Sequence, residues 1–377
     1  MLATPSLGAR LVTKPLFLLG EAWGENEARI GRPFVGASGI ELLRMLDEAG
    51  ILELTSEDSV YMRRFWSEGK PELLDCIWNM HPEIYRSNVF NQRPPGNKLE
   101  WFCGPRKEGI VGYPALVGSK YVRREFIPEL ERLADEIINV DPNLILALGN
   151  SALWALGGKT GVSKLRGTTC LSTHTASGFK LLPTYHPSAV LRQWENRPVA
   201  VMDLIKARRE AEYPDIRRPK REIWIEPSLE DCYAFKERYI NGCTMLSVDI
   251  ETAGNQVTCI GFAPSNQVAL VVPLFDARRK GKCYWPNASA EQSAWVFIRS
   301  MLESPRPHKV FQNGMYDIAF LWRACGIKVA EAEHDTMLLS HSQQPESLKS
   351  LAFLGSCFAD EGAWKAEHKA GTLKRDA

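Results

Sequence analysis

The chain has 377 residues, enough for two domains, and its 45% hydrophobic and 24% charged residues describe a globular protein. A formal net charge of +1 excludes a uniformly basic chain, so any contact with phosphate must come from a local patch. Nine cysteines, with no Cys-x-x-Cys pair, argue against a disulfide framework or a zinc ribbon and for reduced thiols in a cytoplasmic protein. No apolar run approaches the roughly 20 residues of a membrane span, and the N-terminus carries no secretion signal, so no membrane partner is expected.

In chain order, Leu16–Leu19 reads as a short buried strand ended by Gly20, and Gly39–Gly50 as a helix with Ile40, Leu42, Leu43 and Leu46 inward. Ser87–Asn97 is a brief strand entering a turn stiffened by Pro94 and Pro95 and freed by Gly96. Phe126–Asn139 predicts an amphipathic helix with Ile127, Leu130, Leu133, Ile137 and Ile138 inward. Asn143–Gly149 predicts a fully buried strand, and Ser151 a cap for the helix after it. Leu181–Ser188 is one more strand with a polar end. Strands alternating with helices predict a parallel α/β sheet covered on both faces, with four polar carboxyl ends converging on one crevice.

Arg208–Arg221, with six basic residues and two prolines, reads as an exposed linker. Beyond it come a strand at Ile223–Ile225, a helix at Leu229–Ile240 and three strands, Met245–Glu251, Gln256–Phe262 and Gln267–Phe275, suited to a meander. A helix at Ser289–Ser304, a strand at His308–Asn313, a helix at Met315–Cys325 and helices through Asp335–Ser342 and Ser347–Phe358 complete the second half.

The motif Gly20-Glu-Ala-Trp-Gly-Glu-Asn-Glu27 with Gly31-Arg-Pro-Phe-Val-Gly36, then Asn88 with Arg93-Pro-Pro-Gly-Asn97, then Tyr185-His-Pro-Ser188, resembles the uracil-DNA glycosylase superfamily, nearest its family 4 branch, over about residues 15 to 205. An enzyme that cleaves the bond between base and sugar must flip the nucleotide into a pocket. The resemblance implies that Phe34 stacks the base, Asn88 reads uracil, Glu21 orients water with Glu27 in support, and His186 stabilises charge on the departing base. It also implies that Asn97 lines the DNA side and that Leu191 and Arg192 wedge the vacated stack and hold phosphate. Trp23 stands where the family has proline, which implies a narrowed pocket or a changed base preference. No cysteine precedes Cys76 and Gln92 replaces a family cysteine, so no iron–sulfur cluster is expected. The insert Phe102–Val122 is longer than the family leads one to expect.

Val248-Asp-Ile-Glu-Thr252 places Asp249 and Glu251 on one face of a strand by its period of two, and Asn313-Gly-Met-Tyr-Asp317 adds a third carboxylate at a helix start. Two carboxylates projecting from an apolar strand call for metal or water. Together with His334–Ser340, Ser350–Gly355 and Ala363–Lys365, these residues resemble the 3′–5′ proofreading exonuclease domain of family A DNA polymerases, phage-like ones in particular. Asp249, Glu251 and Asp317 match three of the four carboxylates such sites use to hold Mg2+. The fourth, an Asp four residues after a Tyr, does not follow, and Asp335 reads as helix-start structure.

The expectation is therefore a three-layer α/β/α glycosylase-like domain at residues 1–207 and a basic linker at 208–221. A C-terminally truncated, ribonuclease H-like (DnaQ-like) α/β exonuclease domain would occupy 222–377. Its partners would be uracil-containing DNA, single-stranded 3′ ends and replication proteins, in the cytoplasm of a host cell if phage-encoded. The rivals are a catalytically silent DNA-binding accessory and an N-terminal fragment of a phage-type polymerase.

Overall fold

A computed structural model describes residues 16–359, so Ala363–Lys365 and the chain end lie outside the described residues. The chain divides into two compact units: one runs up to Arg217 and takes in the residues from Ala352 onward, the other is Arg218–Leu351.

The first unit contains β1 (Leu16–Ala22), β2 (Ile84–Phe90), β3 (Cys103–Gly104), β4 (Tyr121–Val122), β5 (Ile145–Leu148), β6 (Cys170–Leu171) and β7 (Lys180–Thr184). Its main sheet has the order β2-β1-β5-β7-β6, and β3 and β4 form a separate ribbon. The first four strands of that order are mutually parallel and β6 is antiparallel to β7. Alternation along β1 sorts the core into two layers. Leu16 and Leu18 pack with Leu146, Leu182 and the helices Ala37–Glu48 and Arg197–Glu210. Phe17 and Leu19 pack on the other face with Ile145, Leu181 and the helices Ile127–Val140 and Gly149–Gly157. Burial on both faces explains why these strands read as unbroken apolar runs.

Several expectations are corrected. Gly20 does not end β1, which continues to Ala22 because Gly20 and Ala22 pair with Asn88 and Phe90. Ser151 lies inside the helix Gly149–Gly157, whose first turn has no side-chain cap. In the helix Ile127–Val140 only Leu130, Leu133 and Ile137 are buried, whereas Ile127 and Ile138 face solvent. Two helices that the periodicity did not disclose, Ser56–Glu68 and Glu72–Asn79, precede β2. The insert is an ordered platform: Phe102 stacks on Phe90 with centroids 4.0 Å apart, and Tyr113 packs on Trp154 at 4.6 Å. Arg208 and Arg209 stand on the last turn of a helix that runs to Glu210.

The second unit contains β8 (Glu222–Trp224), β9 (Met245–Ala253), β10 (Gln256–Ala263), β11 (Val268–Pro273), β12 (His308–Phe311) and β13 (His334–Asp335), in the order β13-β12-β9-β10-β11-β8. The meander is present as the antiparallel run β9-β10-β11, and β12 joins β9 in parallel. Phe262, Phe297, Ile298 and Leu302 sit in its core, between the sheet and the helix Ala288–Leu302.

Within the first unit, Arg166 and Asp203 form an ion pair buried to about 1% exposure on both sides. The Thr184 hydroxyl donates to the same Asp203 carboxylate at 2.6 Å, and Arg166 donates to Ser356 Oγ at 2.9 Å. Removing one partner strands a buried charge. Asp203→Ala is therefore expected to lower unfolding free energy by about 3–5 kcal/mol in urea titration, and a loss under 1 kcal/mol would contradict the account.

Candidate active sites

The parallel strands of the first unit bring their carboxyl ends to one edge, and the motif residues gather there. Gly20 on β1 is the close-approach point. A Cβ at this position would lie 2.2 Å from Asn88 Oδ1 and 2.7 Å from Phe34 Cζ, so no larger residue leaves those two side chains where they are. Asn88 is 3% exposed, and its side-chain amide has no hydrogen-bond partner among the described residues. Its amide atoms are not among the buried atoms left without a partner, so they reach solvent, where a ligand can take the place of water.

Phe34 is 4% exposed and adopts a left-handed backbone, φ 58°. Strain of this kind persists only where surrounding contacts fix it. Trp78 Nε1 donates to Phe34 O at 2.9 Å, and Arg86 donates to Pro33 O at 2.8 Å while paired with Asp75. From the other side, Glu27 accepts hydrogen bonds from the backbone N–H groups of Val35 and Gly36, although burial dominates and pushes its carboxyl above the usual range. Glu27 thus braces the loop that presents Phe34.

His186 precedes the helix Pro187–Arg192, and its ring centroid lies 6.2 Å from that of Phe34. The Ser188 backbone N–H donates to His186 Nδ1 at 3.1 Å. Since an N–H can only donate, Nδ1 is unprotonated and the neutral ring carries its proton on Nε2. Burial holds the ring below its ordinary pKa, opposed by the Glu21 charge and reinforced by Arg192. Glu21 itself is oriented by Ser151, whose hydroxyl donates to Oε2 at 2.7 Å.

Asn97 lies on the exposed turn, where its Oδ1 accepts from Arg93 Nε at 3.3 Å. Leu191 is 45% exposed on the helix after His186, with exposed Arg192 beside it. Trp23 donates its backbone N–H to Gln92 O at 3.3 Å, tying the first motif to the second, and its buried indole N–H has no acceptor among the described residues. Motif reading missed the roles of Ser151, Trp78 and Arg86, which act across 44 to 130 residues of sequence. Only the buried polar character of a Trp and an Arg next to apolar runs hints at them.

In the second unit, Asp249 and Glu251 face outward from β9 between buried Val248 and Ile250. Asp317 is 6% exposed and accepts from the Ile250 backbone N–H at 3.1 Å, which brings the helix Met315–Cys325 against β9. Burial, with the Asp249 and Asp335 charges behind it, pushes the Asp317 carboxyl up to about 6. Carboxylate oxygens are the hard donors that suit a divalent cation, and a cation near Asp317 would favour its charged form, which burial disfavours. Burial would also raise Asp335, but backbone N–H groups of Gly314, Asn313, Leu338 and Met337 hold it below the usual range. Asp335 caps the helix Thr336–Gln343.

Among the described residues one group of three has ligand atoms within 4.8 Å of one another, His308 with Glu331 and Glu333, and Asp249, Glu251 and Asp317 do not meet that closeness. Arg306 donates to His308 Nε2 at 2.7 Å, so the proton of the neutral ring is on Nδ1, the atom that faces Glu331. A ring nitrogen bearing a proton does not ligate metal.

Residues 9–208 match the model of the Uracil DNA glycosylase superfamily, and residues 230–360 that of a 3′–5′ exonuclease family. The chain belongs to the uracil-DNA glycosylase superfamily, with a 3′–5′ exonuclease-like module fused behind the glycosylase domain. A type-4 uracil-DNA glycosylase of Thermotoga maritima is 30% identical over 197 residues, covering 51% of this chain and 76% of the relative. A type-4 enzyme of Sulfurisphaera tokodaii is 28% identical over 198 residues, with 51% and 68% covered. A DNA polymerase of Bacillus phage SP01 is 24% identical over 256 residues, covering 61% of this chain and 27% of that one. Among solved structures, Brucella melitensis NrnC with bound Mg2+ aligns at 18% identity and a TM-score of 0.26, covering 38% of this chain and 62% of that chain.

Trp78→Phe keeps the ring and removes the N–H that holds Phe34 O. It is expected to cost about 1–3 kcal/mol, the range for a buried carbonyl left unpaired, in urea unfolding monitored by circular dichroism.

Proposed function

We propose that the first unit hydrolyses the N-glycosidic bond of uracil flipped out of DNA. The observation that carries the reading is the convergence of the Asn88 side chain and the Phe34 ring on Gly20, with a histidine ring 6.2 Å from Phe34 whose free nitrogen bears a proton. Phe34 stacks the base, and Asn88 accepts from N3–H and donates to O4. Glu21, fixed by Ser151, holds water beneath the sugar. As the bond from C1′ to N1 breaks, its electron pair moves into the base and charge gathers on O2, where the His186 Nε2–H donates. Water then adds to C1′ and its proton passes to Glu21. Glu27 keeps the Phe34 loop in place. Leu191 enters the gap left by the flipped nucleotide and Arg192 meets phosphate, with Asn97 on the same DNA-facing side.

For the second unit we infer a hold on single-stranded 3′ ends. Asp249, Glu251 and Asp317 would ligate Mg2+, which supplies Lewis acidity and an activated water for phosphodiester hydrolysis. With three carboxylates of a usual four, the expected rate is low. The compartment we infer is the cytoplasm, a host's if the gene is carried by a phage, in keeping with nine cysteines that remain free thiols.

The deciding experiment uses end-labelled uracil oligonucleotide in EDTA or in magnesium, followed by alkali. Alkali-dependent cleavage at uracil in EDTA is the expected result, and intact DNA in every lane would overturn both activities in favour of a silent DNA-binding accessory. Glu21→Gln should lower base release by about 100-fold, within the 10²–10⁴ range of general-base assistance, and leave DNA affinity unchanged.

Because burial lowers the His186 pKa, the ring stays neutral as pH falls through 6.5. Single-turnover release should therefore remain level from pH 8 to 6.5 and decline only below. A histidine-type midpoint at or above 6.5 would contradict the lowered pKa.

A further inference from the structure

β2 is the outer strand of its sheet, so beyond Asn88 no neighbouring strand takes up its outward backbone groups. A side chain does so instead. The helix Ile127–Val140 presents Glu129, Arg132 and Glu136 on one stripe by the i, i+3, i+7 spacing. Arg132 Nη2 donates to Asn88 O at 2.8 Å and to Val89 O at 3.1 Å. Its Nη1 donates to Ser87 Oγ at 3.3 Å and to Glu136 at 2.7 Å, and its Nε donates to Glu129 at 3.0 Å. A guanidinium has five N–H donors in a fixed plane, and here each finds an acceptor. The flanking carboxylates extend the grip, with Ser87 Oγ donating to Glu136 at 2.6 Å, the Asn91 backbone N–H to Glu129 at 3.1 Å and Gln92 Nε2 to Glu129 at 2.9 Å.

Every residue from Ser87 to Gln92 except Phe90 is thereby tied to this one stripe, while the Asn88 amide projects from it unbonded into the pocket. The direction of that amide follows from its backbone, and recognition by hydrogen bonds tolerates little error in angle. We propose that Arg132 is a positioning residue for base selection: it acts through Asn88 by fixing the backbone from which the uracil-reading amide projects. The inference rests on the base-excision reading above and adds a residue outside its motifs.

The test is a double-mutant cycle on the full chain with Arg132→Lys and Asn88→Ala. Lysine keeps the charge but has three donors at one point, so it cannot reach both carbonyls and both carboxylates. Arg132→Lys is expected to slow single-turnover uracil release at least about tenfold, with DNA affinity within about twofold of the unsubstituted protein. It should also reduce the penalty for replacing uracil by 4-thiouracil, whose sulfur is a poorer acceptor for the Asn88 amide. In the Asn88→Ala background the same substitution should change the rate by less than about twofold. A purely structural role would instead give a slowing that persists undiminished without the Asn88 side chain, and that outcome overturns the inference. So does an Arg132→Lys rate equal to that of the unsubstituted protein. Should Arg132→Lys fail to fold, Glu129→Gln, which loosens the grip at Asn91 and Gln92, is measured in the same cycle with the same criteria. No uracil release by the unsubstituted protein overturns the base-excision reading and the inference with it, whereas release with additive substitutions overturns the inference alone.

Discussion

The proposed base-excision site depends on a steric limit at Gly20. Asn88 Oδ1 and the Phe34 ring converge on the space that a Cβ would fill, at 2.2 and 2.7 Å, so the pocket is shaped by removing atoms from a strand. That strand pairs with β5 through Phe17–Leu19, and its carboxyl end is held by β2 alone, through Gly20 and Ala22. The residues that line the pocket are then held from outside it: Phe34 by Trp78 and Glu27, Glu21 by Ser151, and Asn88 by Arg132. Small residues where the base must go and hydrogen-bonded braces behind them are the two halves of one arrangement.

The electrostatics follow the same economy of motion. His186 is fixed in one tautomer by a single backbone N–H two residues on, in the first turn of the helix it caps. In the proposed reaction a neutral donor does not attract a second anion into the pocket before the base leaves, and it needs no proton from solvent when charge develops. The second unit solves an opposite problem. Asp249 and Glu251 stay outside on β9 while Asp317 is drawn in against the Ile250 N–H. Burial, with the Asp249 and Asp335 charges behind it, pushes the Asp317 carboxyl up to about 6.

Much of this was legible in sequence where a pattern has a short period. The outward pair on β9 follows from alternation, and the two-faced sheet from continuous apolar strands that Leu16–Leu19 and Ile145–Leu148 display. Misreadings came where long-range pairing overrides a local habit. Gly20 is a strand breaker by propensity, yet its pairing with Asn88 of β2 holds it in the sheet. Ser151 has the chemistry of a cap, yet its hydroxyl turns to a carboxylate 130 residues earlier. The helix Ser56–Glu68 lacks a strong apolar stripe, but the Thr55–Asp58 capping box before it was readable and would have found it. Arg132 was invisible because nothing in its helix says that a bare strand edge lies opposite.

The first unit takes in residues from both sides of the second in sequence. On the ribosome, its sheet can assemble as soon as β7 has emerged, but Arg166 has to wait for Ser356 until the whole exonuclease-like unit has been synthesised. The second unit lies in sequence between two parts of the first, and an arrest of synthesis anywhere between Arg218 and Leu351 releases a first unit whose buried guanidinium still lacks one of its acceptors.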